Sequence, residues 1–291
     1  MNTNRINELV ASIRSFDKTT YHKAEVLPEL LSLQRELVMA TPWDDATDVN
    51  DLKLYAVVNR LAELNTRYNG AADMELDYFI EGADRVCREI TKLARGGSGK
   101  AKVMTTLHDL CCPRRVLRNI SMWDDSERTE IDALVITEKA YFILEVKNTR
   151  RDVYIDSMGN YFRCSLDYHW DTQIAEKMHT REYFLRKALH TVGEHNPNIV
   201  NVVVFTEDIQ VNNRCRKLKT CSLKTLVSLI EGYSGYDLYS MSDMKKGAAA
   251  VLQANQTEVY PTELGIQQVK LGFATVIAAL EEAQATQLMA A

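Results

Sequence analysis

Apolar residues recur at three- and four-residue spacing through the first 70 or so positions, the pattern of amphipathic helices. The stretches INELVASIRSF, VLPELLSLQRELVMA and VNDLKLYAVVNRLAELNTRY each predict a helix, with ATPWDDATDVN as a loop before the third. A further helix is predicted over roughly 73–94, ending at ARGGSGK. That glycine-rich segment lacks the first glycine of a phosphate-binding P-loop, where Ala94 stands, and its Ser/Thr, where Ala101 stands. It also follows a helix rather than a strand, so it reads as a flexible connector.

From 103 to 165 the texture changes to short runs of β-branched and aromatic residues: RVLRNISMW, EIDALVIT, AYFILEVKN, DVYID and NYFRCSL. A helix follows in DTQIAEKMHTREYFLRKALH, then a fully apolar strand in NIVNVVVFT, a short helix in KTLVSLIEGY, and a last helix in ELGIQQVKLGFATVIAALEEAQ. Helix, several strands, helix, buried strand, helix predicts an α/β fold with a mixed sheet flanked by helices. An N-terminal helical segment (1–72), a core (73–230) and a C-terminal helical extension (231–291) are the expected divisions.

Within this pattern the stretch EIDALVITEKAYFILEVKN carries a puzzle. With Glu138 and Lys139 at the turn, partners sum to 277, which places Asp132 opposite Glu145 and Glu130 opposite Lys147. Ile131, Ala133, Val135, Phe142, Leu144 and Val146 then share one apolar face. An exposed Glu130–Lys147 pair is an ordinary solvated strand end. Two facing carboxylates are not, because like charges directly opposite are destabilising unless a proton or a cation lies between them.

Composition narrows the possibilities. The 291 residues are 46% hydrophobic, enough for a substantial core. Six scattered cysteines, with no CxxC pair and no histidines at zinc spacing, point to a reduced, cytoplasmic chain. Cys111 and Cys112 read as a buried pair of small apolar side chains. No apolar run is long enough for a membrane span, and MNTNRINELV does not read as a signal peptide. The net charge of −5 is unevenly placed: residues 1–80 hold 8 Lys/Arg against 13 Asp/Glu, and residues 81–228 hold 24 against 20. The acidic N-terminal helices are expected to pack on the core or to mediate self-association, while the basic excess of the middle fits either a phosphate-facing surface or ordinary solvated charge.

An aspartate, a spacer of about a dozen residues and Glu-x-Lys on the next strand resemble the PD-(D/E)XK nuclease core. The wider context, EIDALVITEKAYFILEVKN followed by Gln173 at a helix start and NVVVFTED as a later strand, is similar to the nuclease-related domain, NERD, over roughly 80–230. The resemblance implies a PD-(D/E)XK nuclease-like fold and metal-dependent phosphodiester hydrolysis, in DNA rather than RNA. Asp132, Glu145 and the Val146 carbonyl would hold Mg²⁺ or Mn²⁺. Lys147 would orient water and stabilise developing charge, and Gln173 would support the lysine or touch phosphate. The family also expects a helix bearing Gly-Glu with an apolar residue three positions on. EGADRVCREI meets that spacing with Ala83 at the acidic position and Val86 as the apolar partner, leaving Glu81 or Asp84 as substitutes. That departure favours one alternative, a catalytically reduced, nuclease-like nucleic-acid-binding or interaction module. A third reading is a helical interaction protein whose N-terminal segment carries the function, and the helical segments would serve any homo-oligomer.

Overall fold

The computed structural model describes residues 3–13, 20–164, 168–257, 259–261 and 266–290. The chain begins with α1 (Thr3–Ser12), β1 (Thr20–His22), α2 (Lys23–Ala40), α3 (Leu54–Arg67) and α4 (Asp73–Leu107). A β-rich stretch follows: β2 (Arg114–Trp123), β3 (Arg128–Thr137), β4 (Tyr141–Lys147), β5 (Val153–Ile155), β6 (Asn160–Cys164) and β7 (Tyr168–Gln173). Then come α5 (Ile174–His190), β8 (Ile199–Phe205), β9 (Val211–Asn213), β10 (Lys219–Ser222), α6 (Leu223–Glu231) and α7 (Met241–Ala254). The chain closes with β11 (Val259–Pro261) and α8 (Ile266–Ala290).

These elements form two compact units, residues 1–94 with 258–291 and residues 95–257. The first is helical. Leu30, Leu33 and Leu37 of α2, Val57 and Leu61 of α3, Phe79 and Ala83 of α4, and Val269 and Phe273 of α8 form one apolar core. These positions repeat at helical spacing, which is why the periodicity of this region was readable. The C-terminal helix therefore completes the N-terminal helices rather than forming an extension of its own.

The second unit is built on a five-stranded mixed sheet in the order β10-β8-β4-β3-β2. Strands β2, β3 and β4 are antiparallel, while β4, β8 and β10 run parallel. One face buries Leu134, Ile136, Tyr141 and Ile143 against α5 and α7. The other buries Ala133, Val135, Phe142 and Leu144 with Val103 and Leu107 of α4 and Leu226 and Ile230 of α6. With both faces covered, β4 and β8 read as almost uninterrupted apolar runs. A second sheet, β7-β6-β5-β9, lies in the same unit. Its β5 and β6 answer to the predicted runs DVYID and NYFRCSL, whereas β7, β9 and helix α7 carry too little periodic signal to stand out in the sequence.

Two expectations are overturned. Residues 95–107 are not a connector: α4 continues through ARGGSGK as a single 35-residue helix. Each glycine inside a helix costs about 1 kcal/mol relative to alanine, but Val103 and Leu107 are fully buried against the sheet and anchor this end. The Cys111–Cys112 pair is not buried either; Cys111 is exposed and Cys112 half-buried, and all six cysteines are free thiols. No helix among the described residues is long and apolar enough to cross a membrane.

Candidate functional site

The β3–β4 hairpin has the register that its pattern predicts: Ile136 pairs with Tyr141, Leu134 with Ile143 and Ala133 with Leu144. Its turn is closed by Thr137, whose N–H donates to the Ala140 carbonyl at 3.0 Å and whose hydroxyl accepts the Lys139 and Ala140 N–H groups. Beyond Ala133–Leu144 the ladder stops, and the predicted alternation ends with it. Ile131 is buried with Leu134 and Ile136 rather than with Ala133 and Val135. Glu130 pairs with Lys100 rather than Lys147, and the Asp132 side chain takes over. Its Oδ2 accepts the Val146 N–H at 2.8 Å, which ties the carboxylate to the strand that carries Glu145 and Lys147.

Asp132 and Glu145 are close enough for each to shift the other's ionisation, and both side chains are about nine-tenths buried. Three cations compensate them. Lys100, from the second half of α4, places Nζ 2.8 Å from Asp132 Oδ1 and 2.6 Å from Glu130 Oε1. Lys147 Nζ stands 2.6 Å from Glu145 Oε1, and Arg181 of α5 stands 2.7 Å from Glu145 Oε2. Arg181 is fixed from three sides, since its Nε also donates to the Glu130 carbonyl at 2.6 Å and another of its nitrogens lies 3.0 Å from Met178 Sδ. Lys147 has a looser second seat, 5.6 Å from the centre of the Tyr161 ring.

This arrangement separates the two carboxyls electrostatically. Burial, followed by the charge of Glu145, pushes Asp132 above the usual carboxylate range despite Lys100. Burial opposes ionisation of Glu145 as well, but the Arg181 and Lys147 cations outweigh it and hold Glu145 below that range. Burial would lower Lys100, yet Asp132 and Glu130 together raise it, so its ammonium stays charged.

The site residues inferred from the sequence do not all meet. Asp132, Glu145 and Lys147 converge, with Val146 between them in β4. Gln173 caps the N-terminus of α5 without a side-chain capping bond and lines a different cavity, with Ser157, His179, Arg216 and Lys217. The α5 side chain that reaches Glu145 is Arg181, two turns further along.

The acidic-helix position also moves. Ala83 is buried in the helical core of the first unit, and Glu81 pairs with Arg85. The expected spacing recurs later in α4, where Gly99, Lys100 and Val103 supply glycine, the acidic position and the apolar partner. There a lysine stands in place of the glutamate. Gly99 is needed for close approach: a Cβ at this position would lie 2.9 Å from Asn148 Cβ. Asn148 in turn donates to the Arg95 carbonyl at 2.8 Å and accepts the Thr206 hydroxyl at 2.8 Å, holding helix, β4 and the end of β8 together.

The periodicity of 95–107 could have exposed Lys100, but the three glycines masked it. Arg181 had no signal of its own, being one of several basic residues along α5.

Among the described residues no group of three or more His, Cys, Asp or Glu is disposed to hold a metal ion. Comparison with curated proteins and with solved structures finds no match for the chain. Residues 95–206, the stretch that contains Lys100, Asp132, Glu145, Lys147, Gln173 and Arg181, match the family model of the nuclease-related domain, NERD.

Proposed function

We propose that this chain is a PD-(D/E)XK-type nuclease that hydrolyses phosphodiester bonds, with DNA as substrate in preference to RNA, at the centre formed by Asp132, Glu145 and Lys147. The observation that carries the reading is the pairing of two buried carboxylates with a lysine on adjacent strands, inside the stretch that matches a nuclease-related domain. Burying like charges together is costly. Three neighbouring cations compensate the pair, and a role in holding a further, metal cation accounts for keeping the two carboxylates side by side.

The donor set fits one hard divalent cation. Mg²⁺ commonly takes one or two carboxylates and keeps several waters, and Asp132, Glu145 and the Val146 carbonyl would hold Mg²⁺ or Mn²⁺. Such an ion, when bound, supplies Lewis acidity to a phosphoryl oxygen and lowers the pKa of a bound water.

The chain's own residues supply the rest. Arg181 holds one Glu145 oxygen in place and so fixes the direction of the other. Lys147 shares that other oxygen and has the Tyr161 ring as a second seat, so its ammonium can turn towards a phosphate. There it stabilises negative charge that develops as water adds to phosphorus and the P–O bond to the leaving oxygen breaks. Gln173, in its separate cavity beside Arg216 and Lys217, contacts the nucleic-acid backbone away from the reacting bond.

Incubating the full chain with plasmid, single-stranded DNA and RNA in Mg²⁺, Mn²⁺ or EDTA tests the reading. Cleavage of DNA that EDTA abolishes, and that Lys147→Ala loses, is expected. A second reading has an observation of its own in its favour, the lysine at the acidic helix position: a catalytically reduced module that grips nucleic acid. Retained DNA binding with no cleavage under any metal would select it.

A further inference from the structure

Among the described residues Lys100 is the cation of the centre that touches Asp132, and it is shared. Its ammonium lies between Asp132 Oδ1 at 2.8 Å and Glu130 Oε1 at 2.6 Å, with Asn119 Oδ1 at 3.3 Å. An ammonium has three donors on a flexible stem, so it can keep one acceptor while giving up another. Asp132 is bound asymmetrically as well. Its Oδ2 is fixed by the Val146 N–H, leaving Oδ1, the oxygen on Lys100, as the exchangeable one.

A buried cation stripped of its only partner is strongly disfavoured. Lys100 escapes that penalty because Glu130 remains. Arg181, in contrast, is anchored to Glu145, the Glu130 carbonyl and Met178 together and has no such freedom.

We propose that Lys100 is an exchangeable internal cation: it neutralises Asp132 until a divalent cation takes Oδ1, and Glu130 then retains the ammonium. Lys100 thus competes with metal for Asp132 and weakens metal affinity, while Glu130 lessens that competition. The inference rests on the reading of this centre as a metal site.

Mn²⁺ titration of the full chain, followed by calorimetry and by the electron paramagnetic resonance of free Mn²⁺, tests it without reference to cleavage. Lys100→Met should bind Mn²⁺ roughly 10–100-fold more tightly than the wild type, the range over which groups supporting metal ligands act. Glu130→Gln should bind more weakly, partly through the lost charge alone. A double-mutant cycle separates that part: the Glu130→Gln penalty should be larger with the lysine present than in the Lys100→Met background.

If Lys100→Met compromises folding, Lys100→Gln, which retains a donor for Glu130, serves in its place and should also tighten binding. Equal or weaker Mn²⁺ affinity in the folded Lys100 variants, with the wild type binding, overturns the proposal and leaves the metal site standing. Absence of Mn²⁺ binding in the wild type and every variant overturns the metal reading and this inference together.

Discussion

Helix α4 carries the same short pattern twice, and the two copies have opposite fates. Gly82, Ala83 and Val86 lie in its first part, Gly99, Lys100 and Val103 in its second. In both, glycine permits a close approach: a Cβ would lie 2.9 Å from Val269 Cγ2 at Gly82 and 2.9 Å from Asn148 Cβ at Gly99. In both, the apolar residue three positions after the middle one is fully buried. The middle residue differs. Ala83 fills an apolar core, whereas Lys100 enters a cluster of three carboxylates and two other cations. Spacing specifies which residues face inward; the neighbours decide whether an inward position is packing or chemistry.

The largest test of that contrast lies at the charged end. A sequence view of Asp132 and Glu145 as a repelling pair makes either neutralisation harmless to the fold. The geometry distinguishes them. Glu145 is the counter-ion of both the half-buried Lys147 and the buried Arg181, so Glu145→Gln leaves both without their carboxylate and should cost ~3–5 kcal/mol, the usual penalty for breaking a buried pair. Asp132→Asn removes a carboxyl already pushed towards its neutral form and should cost much less. Urea denaturation of the two variants measures the difference, and equal losses would show that Arg181 and Lys147 do not depend on Glu145.

The next effect is steric. Gly99→Ala should destabilise by ~1–3 kcal/mol, the range for overpacking, by displacing Asn148 from its bonds to Arg95 and Thr206. Gly82→Ala should cost about as much in the other unit, since Val269 meets its Cβ with both side chain and backbone. Thermal unfolding of each variant checks both, and tolerance at either site would remove close approach as the reason for that glycine.

Gly96→Ala provides the control. Nothing lies within 4 Å of a Cβ there, so helix propensity alone acts and the variant should gain ~0.5–1 kcal/mol. A loss instead would mean that residues 95–99 do not hold helical structure in solution.

The smallest effect is the dependence on pH. Because Glu145 is held below its ordinary range, its pairs stabilise the fold fully above the unfolded carboxylate pKa of ~4.3. That stability is lost as the pH falls towards the folded value. Asp132, raised in the fold, contributes with the opposite sign over the range above its unfolded pKa. Melting temperatures between pH 7 and 3 should therefore fall less steeply for Glu145→Gln than for the wild type.

Much of this molecule follows from its sequence alone. The helices of the first unit were legible because Leu30, Leu33 and Leu37, or Val57 and Leu61, repeat with the helical period on a single buried stripe. The β3–β4 register from Ala133–Leu144 to the turn was legible because alternation and a two-residue turn leave one pairing that buries both apolar faces. The ladder ends before Asp132, whose side chain instead bonds the Val146 N–H. Other features were decided only in three dimensions. Three glycines in five residues argue locally against a helix, and burial of Val103 and Leu107 on a distant sheet overrides them. The division of the chain likewise depends on long-range packing, since α8 joins α2 and α3 in one core while α7 packs beneath the central sheet. Lys100 and Arg181 carry no pattern that distinguishes them from solvated lysines and arginines. What makes them part of the site is the approach of α4 and α5 to two carboxylates 32 and 36 positions away in the chain, and no local period encodes a contact of that range.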